Sequence, residues 1–399
     1  MAGANVSIAC VPANPSPDLT RYIRSGDGII AGQACAEPQT LMEALVAQRA
    51  SCSGARLFLG VNYAGIVKPE HADHLRLSAY CGAGHNRALA DAGVLDIHPH
   101  PYSRLAALIR ERKIRCDVAL LQVSRPNARG EFSLGLAVDY LPPAMGTARA
   151  VIAEVNEQVP WTHAEPLLRR EDFALVVESS RPPAMPPPAR AGETEAAIAR
   201  HAAAYIPDGA TVEFGLGVLP DAVCGALGGH RGLKVHSGTA GDGIIELMRR
   251  GVIERAVCAQ LIGSRRLFDF ARENSALRLR STEYTHDPRV LGQIERFVAV
   301  NSAIEADLTG QVNAEVAKGS YLGAVGGALD FMRAAAFSPG GVSLLVLPAA
   351  RIVKSLSGPV STPRSEAGVI VTERGAADLR GCTLNERMRR MTAISSLET

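Results

Sequence analysis

Two glycine-rich turns, each close to ionisable side chains, are where this sequence could do chemistry. The first, Gly215 to Val223 (GLGVLPDAV), follows a run of strand character that carries Glu213 and leads into a helical pattern. Gly215 and Gly217 let a ligand approach the main chain, and the helix start offers free N–H groups to an anion or oxyanion. A dinucleotide reading is weak, because the third glycine of that fingerprint is missing and its acidic partner cannot be placed. The second turn, Gly319 to Phe331 (GSYLGAVGGALDF), sets Gly323, Gly326 and Gly327 just ahead of a helix. N–H groups converging there suit the oxyanion of a thioester carbonyl. The same glycines would also serve a tight connection that needs positive φ or close packing. A third stretch, Thr362 to Gly381, reads as strand, loop and helix start, with Arg364 and Glu373 as surface charges.

The elements that must hold these turns follow one grammar, in which short branched apolar runs end in glycine and give way to amphipathic segments of helical period. Strands are predicted over 26–32, 56–61, 117–123 and 148–156, and again over 210–215, 233–238, 255–263, 342–349 and 368–373. Helices are predicted over 38–49, 102–112, 193–205, 220–227, 243–250 and 328–336. The fold class is therefore α/β, and the unbroken apolar strands suit largely parallel sheets covered on both faces. Between Ser179 and Gly192 five prolines remove donors and restrict φ, which stops any helix or strand. The expected organisation is an N-terminal α/β domain over 1–180, a linker over 181–192, and a C-terminal α/β domain over 193–399 carrying the site motifs.

Composition agrees with two buried cores: 399 residues, 47% hydrophobic and 21% charged. A net charge of +2 with mixed signs leaves no footprint for nucleic acid or an anionic membrane. No apolar run approaches the roughly 20 residues needed to span a bilayer, and the Met1 to Val6 start lacks the basic residues of a secretory signal. These features predict a cytoplasmic protein. Cys10, Cys35, Cys52, Cys81, Cys116, Cys224, Cys258 and Cys382 form no C-x-x-C pair, so they read as small buried hydrophobes, with neither a metal site nor a disulfide framework.

In order and spacing, GLGVLPDAV, DGIIELMRRGVI, GGALDFMRAAAFSPGGVSLLVLPA and STPRSEAGVIVTERGAADLRGCTLNERM resemble the 4-hydroxybutyrate CoA-transferase and acetyl-CoA hydrolase family. So do RYIRSGDGIIAG, DVALLQVSRPNARGEFSLGLAVDY and VIAEVNEQVP in the first half. The resemblance implies two open α/β domains of CoA-transferase type with the site in the cleft between them. It implies coenzyme A as substrate or product, no permanently bound cofactor or metal, an acyl-CoA or other acyl thioester as partner, a carboxylate or other acyl acceptor, and an assembly of identical copies.

It also implies a ping-pong route through a glutamate that attacks the thioester. In VHSGTAGDG, His236, Ser237, Asp242 and Gly243 keep the family frame, and the glutamate position falls on Gly238. Glycine has no side chain with which to form an anhydride, so the covalent step cannot pass through this position. Three replacements are open. Glu213, where the family usually has glutamine, could act as general base or substitute nucleophile, against a reading as a solvated or ion-paired strand-end residue. His236 could orient or protonate a group, or be a structural histidine. Glu283, in STEYTHDP, is a backup carboxylate. Gly323, Gly326 and Gly327 keep the family's turn, implying that oxyanion stabilisation and CoA binding survive. A chain that binds CoA without turnover, or acts on a carrier-protein thioester, also fits.

Overall fold

In the computed structural model, residues 16–188 and 190–398 are described. Cys10, the Met1–Val6 start and Ala189 of the proline-rich segment lie outside the described residues. Each strand and helix given a range above is present within a few residues of its expected ends, including Val118–Val123, buried at every position, and the helix Tyr102–Arg110. The helix start expected within Thr362 to Gly381 is instead the strand Gly375–Asp378, which turns back to pair with Val369–Thr372.

The first sheet is parallel throughout and has seven strands, in the order Leu95–Ile97, Leu75–Ala79, Ala55–Leu59, Gly28–Ala31, Val118–Val123, Ala150–Asn156, Leu175–Ser179. Its direction of growth reverses between Gly28–Ala31 and Val118–Val123. The second has nine strands, in the order Gly375–Asp378, Val369–Thr372, Val342–Val346, Phe297–Ser302, Thr211–Phe214, Leu233–Ala240, Ile253–Leu261, Leu277–Leu279, His163–Ala164. Only the Gly375–Asp378 edge is antiparallel. Here the reversal falls between Thr211–Phe214 and Phe297–Ser302. Open α/β sheets bind ligands beyond the carboxyl ends of their strands at such reversals.

Several elements escaped the sequence grammar for physical reasons. Phe297–Ser302 is a fully apolar strand until its end, but it closes on Asn301 and Ser302 rather than glycine. Leu75–Ala79, with Arg76 exposed, alternates instead of running unbroken. The helix Leu141–Thr147 opens on two prolines, tolerable only in a first turn where no N–H is needed. His163–Ala164, from the first half of the chain, pairs with Leu277–Leu279 in the second sheet. The segment ahead of the proline-rich stretch therefore contributes to both sheets.

Between Arg181 and Gly192 the described residues form no helix or strand. The start of this stretch is pinned to the first domain, since Asn156 Nδ2 donates to the Arg181 carbonyl at 2.8 Å and Gln39 Nε2 to the Pro182 carbonyl at 2.9 Å. Cys35, Cys52, Cys81, Cys116, Cys224 and Cys258 are buried free thiols and Cys382 is half-buried. Among the described residues, no helix is long and apolar enough to cross a membrane.

Candidate functional site

A cavity of about 380 Å³ opens where the carboxyl ends of both sheets face one another. Glu213, Gly215, Gly238, Thr239, Gln260 and Asn301 line it from the second sheet, Val61, Tyr80, Cys81 and Tyr102 from the first domain, and Gly323 to Ala328 from the second glycine turn. Of the residues singled out in the sequence, Glu213, Gly215, Gly238, Gly323, Gly326 and Gly327 meet here. Gly217, His236 and Glu283 are not among the lining residues.

Glu213 stands on Thr211–Phe214, beside Ala299 of the neighbouring strand at the sheet's reversal. With two-residue alternation along parallel strands, Asn301 falls on the same face. Asn301 Nδ2 donates to Glu213 Oε2 at 2.8 Å. Glu213 is 2% exposed, and none of the salt bridges among the described residues includes it. Burial pushes it up to about 8, against the pull of the Asn301 and Val300 hydrogen bonds. At neutral pH it is mainly an acid, and just above that range a base.

Gly215 is small for a local reason: a Cβ there would sit 2.8 Å from Asn301 Oδ1, displacing the partner of Glu213. Gly217 is the exposed N-cap of the helix Val218–Ala226, with φ near +122°, a backbone region that glycine alone enters freely.

At Gly238 the space is not empty. A Cβ there would lie 3.2 Å from His286 Nε2 and 3.6 Å from Phe331 Cε2, and one at Gly327 would lie 2.6 Å from the same imidazole nitrogen. His286 thus sits between the two glycines, 4.5 Å from the Phe331 ring and 5.1 Å from that of Tyr102, centroid to centroid. Burial, with a smaller push from His236, drives its pKa down to about 3, so the ring is neutral in the physiological range. His236, on the same strand face as Gly238 but not among the lining residues, is held elsewhere: its imidazole Nε2 is 2.9 Å from the Thr285 carbonyl. It braces the residue before His286.

Glu283, expected as a backup carboxylate, is engaged elsewhere. Arg110 of the first domain holds it bidentately at 2.5 and 2.8 Å, outside the cavity. It lies on the single-turn helix Thr282–Thr285, which directs it to the domain junction and leaves His286 to turn inward.

The second glycine turn is divided in its duties. Gly323 spends its N–H on the Glu315 carbonyl at 3.0 Å, and its own carbonyl accepts from Gly82 N at 2.8 Å. A Cβ on Gly323 would meet the Ala314 carbonyl at 1.9 Å, so its glycine is dictated by close packing. Gly326 has φ +60° and its carbonyl accepts from Tyr102 N at 2.9 Å. Gly327 is the N-cap of Ala328–Phe337. The N–H groups of Gly327 and Ala328 make no hydrogen bond to another described residue, as expected of a helix start, and both residues line the cavity. They are the oxyanion donors the turn can offer. Asp330 of the same first turn accepts from Ser103 Oγ at 2.7 Å, closing the helix onto the first domain.

The first-domain wall is built on Gln33, just past the other sheet's reversal. Its Nε2 donates to Tyr102 Oη at 2.6 Å and Asp139 Oδ2 at 2.7 Å, while its Oε1 accepts from Tyr80 Oη at 2.9 Å and Val61 N at 2.8 Å. Burial holds both tyrosines protonated and raises Asp139 to about 6. Opposite them, Gln260 is 3% exposed and its Oε1 has no partner. His286, Asn301, Gln260, Tyr80 and Tyr102 carry no signature in the sequence. The one available hint was STEYTHDP, whose histidine lies three residues beyond Glu283.

Residues 15–169 match the acetyl-CoA hydrolase/transferase N-terminal domain, and residues 263–397 match the C-terminal domain of the same name. The 4-hydroxybutyrate coenzyme A transferase of Clostridium kluyveri is 33% identical over 396 residues, covering 94% of this chain and 92% of that protein. This chain belongs to the acetyl-CoA hydrolase/transferase family. Another family relative, the succinyl-CoA:acetate/propanoyl-CoA:succinate CoA transferase of Fasciola hepatica, is 30% identical, covering 81% of this chain and 72% of its own length. RipA from Yersinia pestis superposes with a TM-score of 0.91 at 28% identity, covering 97% of this chain and 94% of its own. The 4-hydroxybutyrate CoA-transferase of Porphyromonas gingivalis superposes with a TM-score of 0.78 at 29% identity, with coverages of 97% and 94%. The family's two-domain α/β architecture is thus the architecture of this chain.

Proposed function

We propose that this chain is an acyl-CoA-processing enzyme that hydrolyses or directly transfers an acyl group from a coenzyme A thioester, with no covalent step at position 238. The observation that carries the reading is the meeting, in one cavity, of free N–H groups at Gly327 and Ala328 with the buried carboxyl of Glu213. The thioester carbonyl lies toward the helix start, where negative charge on its oxygen is stabilised. Glu213, ionised above about pH 8, takes the proton of the attacking nucleophile. Coenzyme A enters as substrate and leaves as product, and the chemistry requires no resident cofactor.

A second reading has support in the same carboxyl. Asn301 engages only one of its oxygens, so Glu213 could itself attack the thioester as a relocated nucleophile. A panel of short acyl-CoA thioesters, followed by mass spectrometry with and without carboxylate acceptors, separates the cases. Release of coenzyme A that is lost in Glu213→Gln supports the first reading. Trapping of Glu213 by hydroxylamine or borohydride during turnover supports the second. Tight coenzyme A binding without turnover of any thioester removes both and leaves a binding protein.

A further inference from the structure

We infer that His286 is a second catalytic residue of this cavity, holding the attacking water on its bare Nε2 in the space beside Gly238, and that water rather than a carboxylate is the acyl acceptor. The inference rests on the acyl-thioester reading above and assigns its acceptor.

We take the ring in its Nδ1-protonated tautomer, which the neighbours accommodate. Thr285 Oγ1 lies 3.2 Å from the Ser281 carbonyl and 2.9 Å from His286 Nδ1. With the Thr285 hydroxyl donating to the Ser281 carbonyl, Nδ1 carries the ring proton and points it at Thr285. A neutral imidazole has one such proton. Nε2 is therefore left as an acceptor, and it makes no hydrogen bond to another described residue. Two contacts hold the ring in place: His236 holds the Thr285 carbonyl at 2.9 Å, and the ring lies against Phe331. An unpartnered acceptor on a side chain only 2% exposed needs a donor from a ligand or water.

The place it faces is the one at which the chain has lost its side chain. Nε2 is the nearest heavy atom to the Cβ positions of both Gly238 and Gly327, and Gly327 starts the helix whose free N–H groups receive the oxyanion. Water accepted on this nitrogen sits next to the carbonyl that those N–H groups polarise. Its oxygen forms the new C–O bond while the C=O electron pair moves onto the carbonyl oxygen. Its proton passes to the Glu213 carboxylate. Collapse of the tetrahedral species breaks the C–S bond, and the departing thiolate takes that proton, giving free acid and coenzyme A.

Charge argues against the alternative acceptor. Among the described residues lining the cavity there is neither lysine nor arginine, and Glu213 is the one carboxylic acid there. A carboxylate entering would be stripped of water with no counter-ion and would face the ionised base. Water meets neither penalty.

The test uses the intact protein and a short acyl-CoA in heavy-oxygen water, with acetate and, separately, hydroxylamine added. Wild-type protein should put heavy oxygen into the released acid and form no acetyl-CoA from acetate. His286→Phe fills the space without an acceptor and should lower kcat about 100-fold with KM nearly unchanged, the scale of a misplaced nucleophile. Hydroxylamine, a nucleophile that needs less activation, should restore part of that loss. His286→Gln, whose amide oxygen can reach the Nε2 position, should retain most of the activity. Transfer to acetate as fast as to water, or full kcat in His286→Phe, overturns the inference while the acyl-thioester reading stands. No turnover by the wild-type protein overturns both. If His286→Phe does not fold, the partition between water and acetate in the wild-type protein still decides.

Discussion

Asn301 donates to Glu213 across the two strands at which the nine-stranded sheet reverses direction, 2.8 Å apart and sealed from solvent. That contact pulls down the pKa of the only carboxylic acid lining the cavity among the described residues, against the larger push of burial. The balance of the two sets the pH at which the cavity gains a base.

Activity that depends on Glu213 as a base should rise with pH through about 8 and level off above it. Glu213→Gln should remove the rise and lower the plateau roughly 100-fold or more, within the range for a lost general base. Asn301→Ala removes a bond that lowers the carboxyl's pKa, so the rising limb should move to higher pH. A pH–rate profile of the three proteins checks both statements.

Stability should carry the same signature. Glu213 titrates near 8 in the folded chain against an ordinary value of 4.5, so the folded state holds this proton more tightly. Its favourable contribution is complete below pH about 4.5 and is lost as the pH rises through about 8. Thermal melting should therefore show Glu213→Gln gaining on the wild-type protein between pH 5 and pH 9. A constant difference across that window would remove the raised carboxyl from the account.

Gly238→Glu should not restore a family nucleophile. The first carbon of any side chain there meets His286 Nε2 at 3.2 Å, so the larger residue must displace the ring. Overpacking of this kind costs about 1–3 kcal/mol. Denaturant melts should show that loss, and Gly238→Glu combined with His286→Gly should lose less than the sum of the two single changes.

Glu283→Gln should leave turnover within about threefold of the wild-type protein and, as a half-exposed pair with Arg110, should cost at most about 1 kcal/mol. A large loss of turnover with unchanged melting would bring Glu283 back as a chemical participant.

What the sequence made legible is whatever chemistry writes locally. Branched runs closing on glycine marked the parallel strands, and the two glycine turns marked the cavity's rims. Glu213 stood out beside the first turn, and Gly238 stood out against the family frame. The rest depends on contacts between distant residues. Asn301 reaches Glu213 from a strand with no glycine to announce it. Glu283 and His286 are three residues apart, yet one is pulled outward by Arg110 while the other turns in against Phe331. Gly323, expected to offer its N–H to an oxyanion, gives it to the Glu315 carbonyl instead, because the fold brings that carbonyl to 3.0 Å.

The central claim is that the acyl group leaves coenzyme A without ever bonding to the protein. A single turnover of an acyl-CoA in heavy-oxygen water, with the released acid and the intact protein both weighed by mass spectrometry, tests it most directly. The account predicts heavy oxygen in the acid alone, with the Glu213 peptide unchanged in mass. Heavy oxygen in that peptide, or a coenzyme A adduct on any carboxylate of the chain, would contradict it.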